Sequence, residues 1–211
     1  MCIISKVIRL NRKNLRDHFS LKVSSVVRTL TISDIFILSG FGLIAPIFSI
    51  FLDTKIEGAN LEMVGIASMI YLLTKSLGQL PVAQVIDRLK GEDDDFWLMV
   101  IGSLATSLVP LLYLLARTPV HIYAIQFVYG LSQAMTFPSW MAIFTRHIDS
   151  DKEGVEWGAY YTLTDLFGAG AAAIGGAVAY HLGFAPLFVV VSVMSFFGSG
   201  WLLLVRKNMR E

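Results

Sequence analysis

Residues 31–52, TISDIFILSGFGLIAPIFSIFL, contain a single charged side chain, Asp34. A hydrocarbon core about 30 Å thick takes roughly 20 residues of helix to cross, and this block is long enough. Five more such blocks follow, at 63–86, 96–116, 120–145, 157–181 and 185–205. Only helices and closed barrels satisfy the backbone in lipid, and these blocks are too long and too evenly apolar for barrel strands. The expected fold class is therefore an all-α membrane protein with six transmembrane helices. Composition agrees: 55% of residues are hydrophobic and only 16% are charged, where soluble domains carry about 25% charged residues. The links DTKIEGANLE, DRLKGEDDD, RTP, RHIDSDKEGVE and LGF are short enough to make neighbouring helices antiparallel.

Several function classes drop out at this level. Cys2 is the only cysteine, which excludes an intrachain disulfide and a cysteine-based metal site. The chain has no Walker or GxGxxG motif, no Ser/His/Asp constellation and no metal-ligand cluster. No catalytic residue, metal or cofactor is expected, nucleic acid is not an expected partner, and an enzyme is not the reading.

Lys/Arg placement orients the chain. The N-terminal segment 1–28 holds seven, from Lys6 to Arg28, with Ile3, Ile4, Val7, Ile8, Leu15, Phe19 and Val26 interspersed. It lacks the continuous apolar core and cleavage site of a secretory signal. The pattern suits a basic amphipathic segment lying on the anionic inner leaflet, ahead of a six-helix bundle over 29–211. Arg88, Lys90, Arg146, Lys152, Arg206, Lys207 and Arg210 lie on the same side, making fourteen, against Lys55 and Arg117 on the other. This bias places both ends in the cytoplasm. The expected location is a prokaryotic inner (cytoplasmic) membrane, with the lipid bilayer as the first partner.

An offset of 90 residues superimposes the first three spans on the last three without a gap. Gly40 falls on Gly130, and YLLTKSLG at 71–78 falls on YTLTDLFG at 161–168, matching at Tyr, Leu, Thr and Gly. Three is an odd number of crossings, so the triplets run in opposite senses: a 3+3 inverted repeat, an arrangement found in secondary transporters. The same register sets Lys75 against Asp165, each about 15 Å inside its span at 1.5 Å per residue. An ionised side chain at that depth costs about 2.5–3.5 kcal/mol on insertion scales. The two must neutralise each other or face water, as an interprotomer pair or as part of a cavity.

Three local patterns carry a resemblance to the major facilitator superfamily of transporters. AQVIDRLKG at 83–91 resembles the G-x-x-x-D-R-x-G-R-K/R signature between the family's second and third helices. Asp87 and Arg88 match; Ala83 replaces the first glycine, Gly91 is displaced, and Glu92, Asp93, Asp94 and Asp95 stand where basic residues trail. QFVYGLSQAMTFP at 126–138 is similar to the R-x-x-x-G pattern of the fourth helix, with Gln126 in place of the arginine that serves proton coupling. GAGAAAIGG at 168–176 resembles the glycine-rich antiporter signature of the fifth helix, with Ala171-Ala172 in place of Gly-Pro. Its glycines Gly168, Gly170, Gly175 and Gly176 also suit close helix packing. The resemblance implies one half of a transporter for a small-molecule solute, with coupling to an ion or proton, and the glutamine at 126 argues against proton antiport.

Family members place their solute between two six-helix halves, and this sequence opens on a methionine and supplies one half. Alternating access then needs a partner, and a C₂ homodimer is the economical one. The family's halves meet through helices 2 and 5, which would bring Lys75 of one subunit to Asp165 of its mate. Candidate cavity residues are Asp34, Ser39, Tyr71, Gln79, Gln126, Tyr129, Gln133, Trp140 and Tyr161. Asp34 also suits a helix cap after Ser33, and Tyr129 and Trp140 suit packing or an interfacial belt. Gln126 and Gln133 lie two turns apart on one face. Pro46 and Pro138, with Gly40, Gly42 and Gly130, mark candidate kinks, while His121 and His147 sit at span ends. The competing readings are a non-transporting scaffold or regulatory subunit of this fold, and one half of a split heteromeric transporter. The orientation is open to test: fused to either terminus, green fluorescent protein should fluoresce and alkaline phosphatase should stay inactive. An active phosphatase at either end overturns it.

Overall fold

A computed structural model describes residues 23–88 and 91–209. Most of the basic segment expected over 1–28 lies outside these residues, as do Lys90 and Arg210. Six long helices carry the described chain: α1 (Ser25–Lys55), α2 (Leu61–Arg88), α3 (Asp93–Tyr113), α4 (Pro119–Arg146), α5 (Glu153–Leu182) and α6 (Phe184–Asn208). Five of them are long and apolar enough to cross a membrane. The exception, α4, has the length, but His121, Gln126 and Gln133 dilute its apolar residues.

The first helix starts at Ser25, six residues before the expected Thr31. Val26, Val27 and Leu30 are buried against Phe96, Ile143, Phe144, Leu202 and Val205, so this turn belongs to the bundle and not to a surface segment. Asp34 therefore lies well inside α1 and caps nothing. Pro46 has a local effect, since one 3₁₀ turn, Ala45–Ile47, separates the α-helical stretches Ser25–Ile44 and Phe48–Lys55. Pro138 sits inside an unbroken α4.

The packing order is simple. α1 packs on α5 and α6, α4 packs on α2 and α3, and α3 packs on α6. The flanking helices α2 and α5 are the least buried of the spans. Two apolar clusters close the ends. One gathers Phe51, Leu52, Met63, Val109, Tyr113, Ile122 and Phe188; the other is that around Leu30, Phe96 and Phe144. Between them lies a layer of small and hydroxyl side chains. Ser33 donates to the Gly198 carbonyl at 2.8 Å, Ser192 donates to the Ser107 carbonyl at 2.6 Å, and the Ser107 and Ser199 hydroxyls meet at 3.0 Å. Lipid tails are as apolar as leucine, so helices in a bilayer associate through close packing and such hydrogen bonds.

Glycines set how closely the helices approach. A methyl group at Gly130 would sit 2.7 Å from the Tyr71 carbonyl oxygen and 2.8 Å from Thr74 Cβ. One at Gly175 would overlap the Leu43 carbonyl, and Gly42 rests on the Gly168 backbone. Of the four expected packing glycines, Gly175 alone would have a side chain blocked by α1; a methyl group at Gly168, Gly170 or Gly176 would meet nothing within 4 Å, although the Gly168 backbone lies against Gly42. Gly40, aligned with Gly130 by the 90-residue offset, meets α6 at Val191 and Ser195 rather than a flanking helix. Overpacking of this kind costs about 1–3 kcal/mol. Gly130→Ala should therefore lower the melting midpoint in detergent by several degrees, while Gly170→Ala leaves it unchanged, as read by a fluorescence-detected thermal shift.

Candidate functional site

Helical spacing brings one stripe of each inner helix onto a common space. On α1 the stripe runs Asp34, Leu38, Phe41; on α4 it runs Tyr129, Gln133, Phe137, Trp140. With Tyr71 and Lys75 from α2, Ser103 and Thr106 from α3, and Trp157, Tyr160 and Tyr161 from α5, they line a cavity of about 350 Å³. That volume lies at the small end of the ~300–1,000 Å³ range of small-molecule sites.

Its walls are aromatic, and several of the polar groups in them have defined neighbours. The Tyr160 hydroxyl donates to Asp34 Oδ2 at 2.8 Å, tying α5 to α1. Gln133 Nε2 donates to Thr106 Oγ1 at 3.2 Å, tying α4 to α3. The Tyr129 ring stacks between Phe41, 5.4 Å away, and Tyr71, 4.6 Å away. Trp140 packs among Phe144, Trp157 and Tyr160. Lys75 Nζ stands 4.7 Å from the centre of the Phe137 ring, a cation–π contact.

Seven of the expected residues meet here: Asp34, Tyr71, Lys75, Tyr129, Gln133, Trp140 and Tyr161. Four do not. Gln126 shares a face with Gln133 and is buried, but seven residues of helix carry it about 10 Å along the axis, past the end of the cavity. Gln79 lies one turn beyond Lys75 and outside the lining for the same reason. Ser39 is rotated away from the α1 stripe and faces a groove among α1, α5 and α6. Asp165 is exposed on α5, and no ion pair joins it to Lys75 among the described residues. α5 meets α1 on both sides of this position, at Tyr160 and at Gly168 to Gly175, so Asp165 is left out by its face of the helix and not by its depth. Trp157 and Tyr160 escaped the sequence reading, although their i, i+3 spacing places them on one face; the repeat register drew attention to the neighbouring Tyr161 instead.

The end bearing the Asp87–Arg88 signature is held by other residues. Asp87 and Arg88 are exposed and form no ion pair among the described residues. The acidic run that departs from the family pattern begins α3, where a helix N-terminus favours negative charge. The fully buried Asp95 is paired with Arg146 at the end of α4, Glu92 lies 3.7 Å from the same guanidinium, and Asp93 accepts from Arg206 of α6 at 3.1 Å.

Long apolar helices around an aromatic cavity lined by Asp34 and Lys75 define a polytopic membrane protein with a cavity of small-molecule size. Residues 30–210 match the sequence model of the Major Facilitator Superfamily, and the chain belongs to that family. Its members are generally membrane transporters of small solutes rather than enzymes. Comparison with curated proteins gives no match.

Removing Arg146 strands the buried Asp95 carboxylate, a loss of about 2 kcal/mol on the usual scale for an unsatisfied buried polar group. Arg146→Ala should lower the melting midpoint by roughly 5 °C. The double variant Asp95→Ala/Arg146→Ala should recover part of the fall, as a thermal unfolding series in detergent would show.

Proposed function

We propose that the chain is one six-helix half of a secondary transporter that moves a small solute by alternating access, as a homodimer with its twofold axis along the membrane normal. One observation carries this reading. The cavity is flanked by α2 and α5, the least buried spans, and the outer surface of α5 bears the exposed Asp165. An ionisable side chain midway along a lipid-embedded helix marks a functional or buried face, and a second bundle seated against α2 and α5 would enclose both the charge and the cavity.

The packing supports the inverted repeat. Exchanging α1 with α4, α2 with α5 and α3 with α6 turns the contacts α1–α5, α1–α6 and α3–α6 into α4–α2, α4–α3 and α6–α3, which are the ones observed. It also supports a sixth crossing by α4, whose Gln133 is bonded to α3 and whose Gln126 is buried within the bundle. The exposure of Asp165 favours a second reading of the interface, a pair between Lys75 and the partner's Asp165. Such a pair would draw Lys75 away from Phe137.

Cysteine crosslinking tests the assembly. In a Cys2→Ser background, the substitutions Leu72→Cys on α2 and Leu166→Cys on α5, both at exposed positions, should give a disulfide-linked dimer in oxidised membranes; monomer alone counts against the homodimer. Lys75→Ala and Asp165→Ala report on the pair: normal assembly of both removes it, and rescue by swapping the two charges supports it. Uptake into proteoliposomes, with and without a pH gradient, separates a transporter from a scaffold, and absence of flux for every solute class would favour the scaffold.

A further inference from the structure

An acidic and a basic side chain face this one cavity. Asp34 stands on the wall built by α1 and α5, and Lys75 stands on the wall built by α2 and α4. Neither belongs to an ion pair among the described residues. Asp34 receives one hydroxyl, that of Tyr160, on Oδ2, while Lys75 Nζ rests on the face of Phe137. A neutral hydrogen bond and an aromatic face solvate a full charge only in part, so each group retains capacity for a ligand of opposite sign. The surface between them is formed by rings, namely Phe41, Tyr71, Tyr129, Trp140, Trp157 and Tyr160.

We infer that the solute of this cavity is a small zwitterion with an apolar body, its ammonium group held at Asp34 and its acidic group held at Lys75. The inference rests on the reading of the cavity as the solute site. A cation answers Asp34 but is repelled by Lys75, and an anion meets the reverse conflict. A neutral apolar molecule would leave both polar side chains unanswered. A zwitterion satisfies both and keeps the occupied site neutral, as passage through a low-dielectric medium favours. The Tyr160 ring, whose hydroxyl meets Asp34, packs with Trp140 and Trp157 and adds a cation–π surface for the ammonium group, and the remaining rings suit an aliphatic or aromatic body.

Three probes that share a phenyl body and differ in charge test this: L-phenylalanine, phenethylammonium and 3-phenylpropionate. Binding is measured by equilibrium dialysis on the full chain in nanodiscs. Disulfide crosslinking of the Leu72→Cys/Leu166→Cys form is scored under the same conditions. Phenylalanine should bind about tenfold or more tightly than either singly charged probe, a difference of ~1.4 kcal/mol. Asp34→Asn should abolish discrimination against 3-phenylpropionate, and Lys75→Gln should abolish discrimination against phenethylammonium, while Lys75→Arg retains it. Monodispersity by size exclusion checks that each variant is folded. The inference is overturned if the wild type binds no phenylalanine, if it binds phenethylammonium as tightly, or if Lys75→Gln removes the crosslink and leaves the ranking of probes intact. Loss of the dimer with phenylalanine selectivity retained overturns the homodimer instead. A crosslinked dimer without phenylalanine binding overturns only the zwitterion.

Discussion

The close approach of helix backbones in the middle of the bundle is the constraint on which the rest of the structure depends. Burial of apolar surface drives association in water, but between helices in lipid it offers little, so contact distance and hydrogen bonding must hold the bundle. The chain meets this with glycines where α4 crosses α2 and where α1 crosses α5, and with serines among α1, α3 and α6. Because Gly130 has no side chain, Tyr71 and Lys75 come close enough to α4 for the Tyr71 and Tyr129 rings to stack and for Lys75 to reach Phe137. Packing and site are therefore not separable here: the same contacts that close the bundle aim the polar side chains inward.

That arrangement divides the charges by role. At the end where α3 starts, Asp95, Arg146, Asp93 and Arg206 tie three helices together through groups that neutralise one another. Within the bundle, Asp34 and Lys75 stay apart across an aromatic space, and Asp165 stands outside it. A membrane protein tolerates such separation where the charges meet a ligand, water or a second subunit. Membership of the Major Facilitator Superfamily gives this pattern a setting, since the family is generally one of small-solute transporters.

Much of the site was legible in the sequence because helical geometry is local. Tyr129, Gln133 and Trp140 fall on one stripe by spacing alone, and Asp34 and Lys75 stand out as charges within apolar blocks. Depth along the axis was less legible. Gln126 and Gln79 have the right angular position but lie a turn or more past the cavity, whose ends are set by contacts with other helices. The cap assigned to Asp34 failed for a related reason: Val26, Val27 and Leu30 find partners on α3, α4 and α6 that extend α1 back to Ser25.

By itself, the sequence determined the helical class and the identity of the charges that must be accounted for, and five of the six spans it led us to expect are helices long and apolar enough to cross a membrane. Block length, hydropathy and the 3.6-residue period belong to the chain alone. Only the tertiary structure decided that Tyr160 is the partner of Asp34, that Lys75 turns to Phe137 within the cavity, and that Asp165 is left outside. These outcomes depend on where one helix crosses another. That crossing is set by which backbones lie close enough to touch, a property of pairs of helices that no single stretch of residues contains.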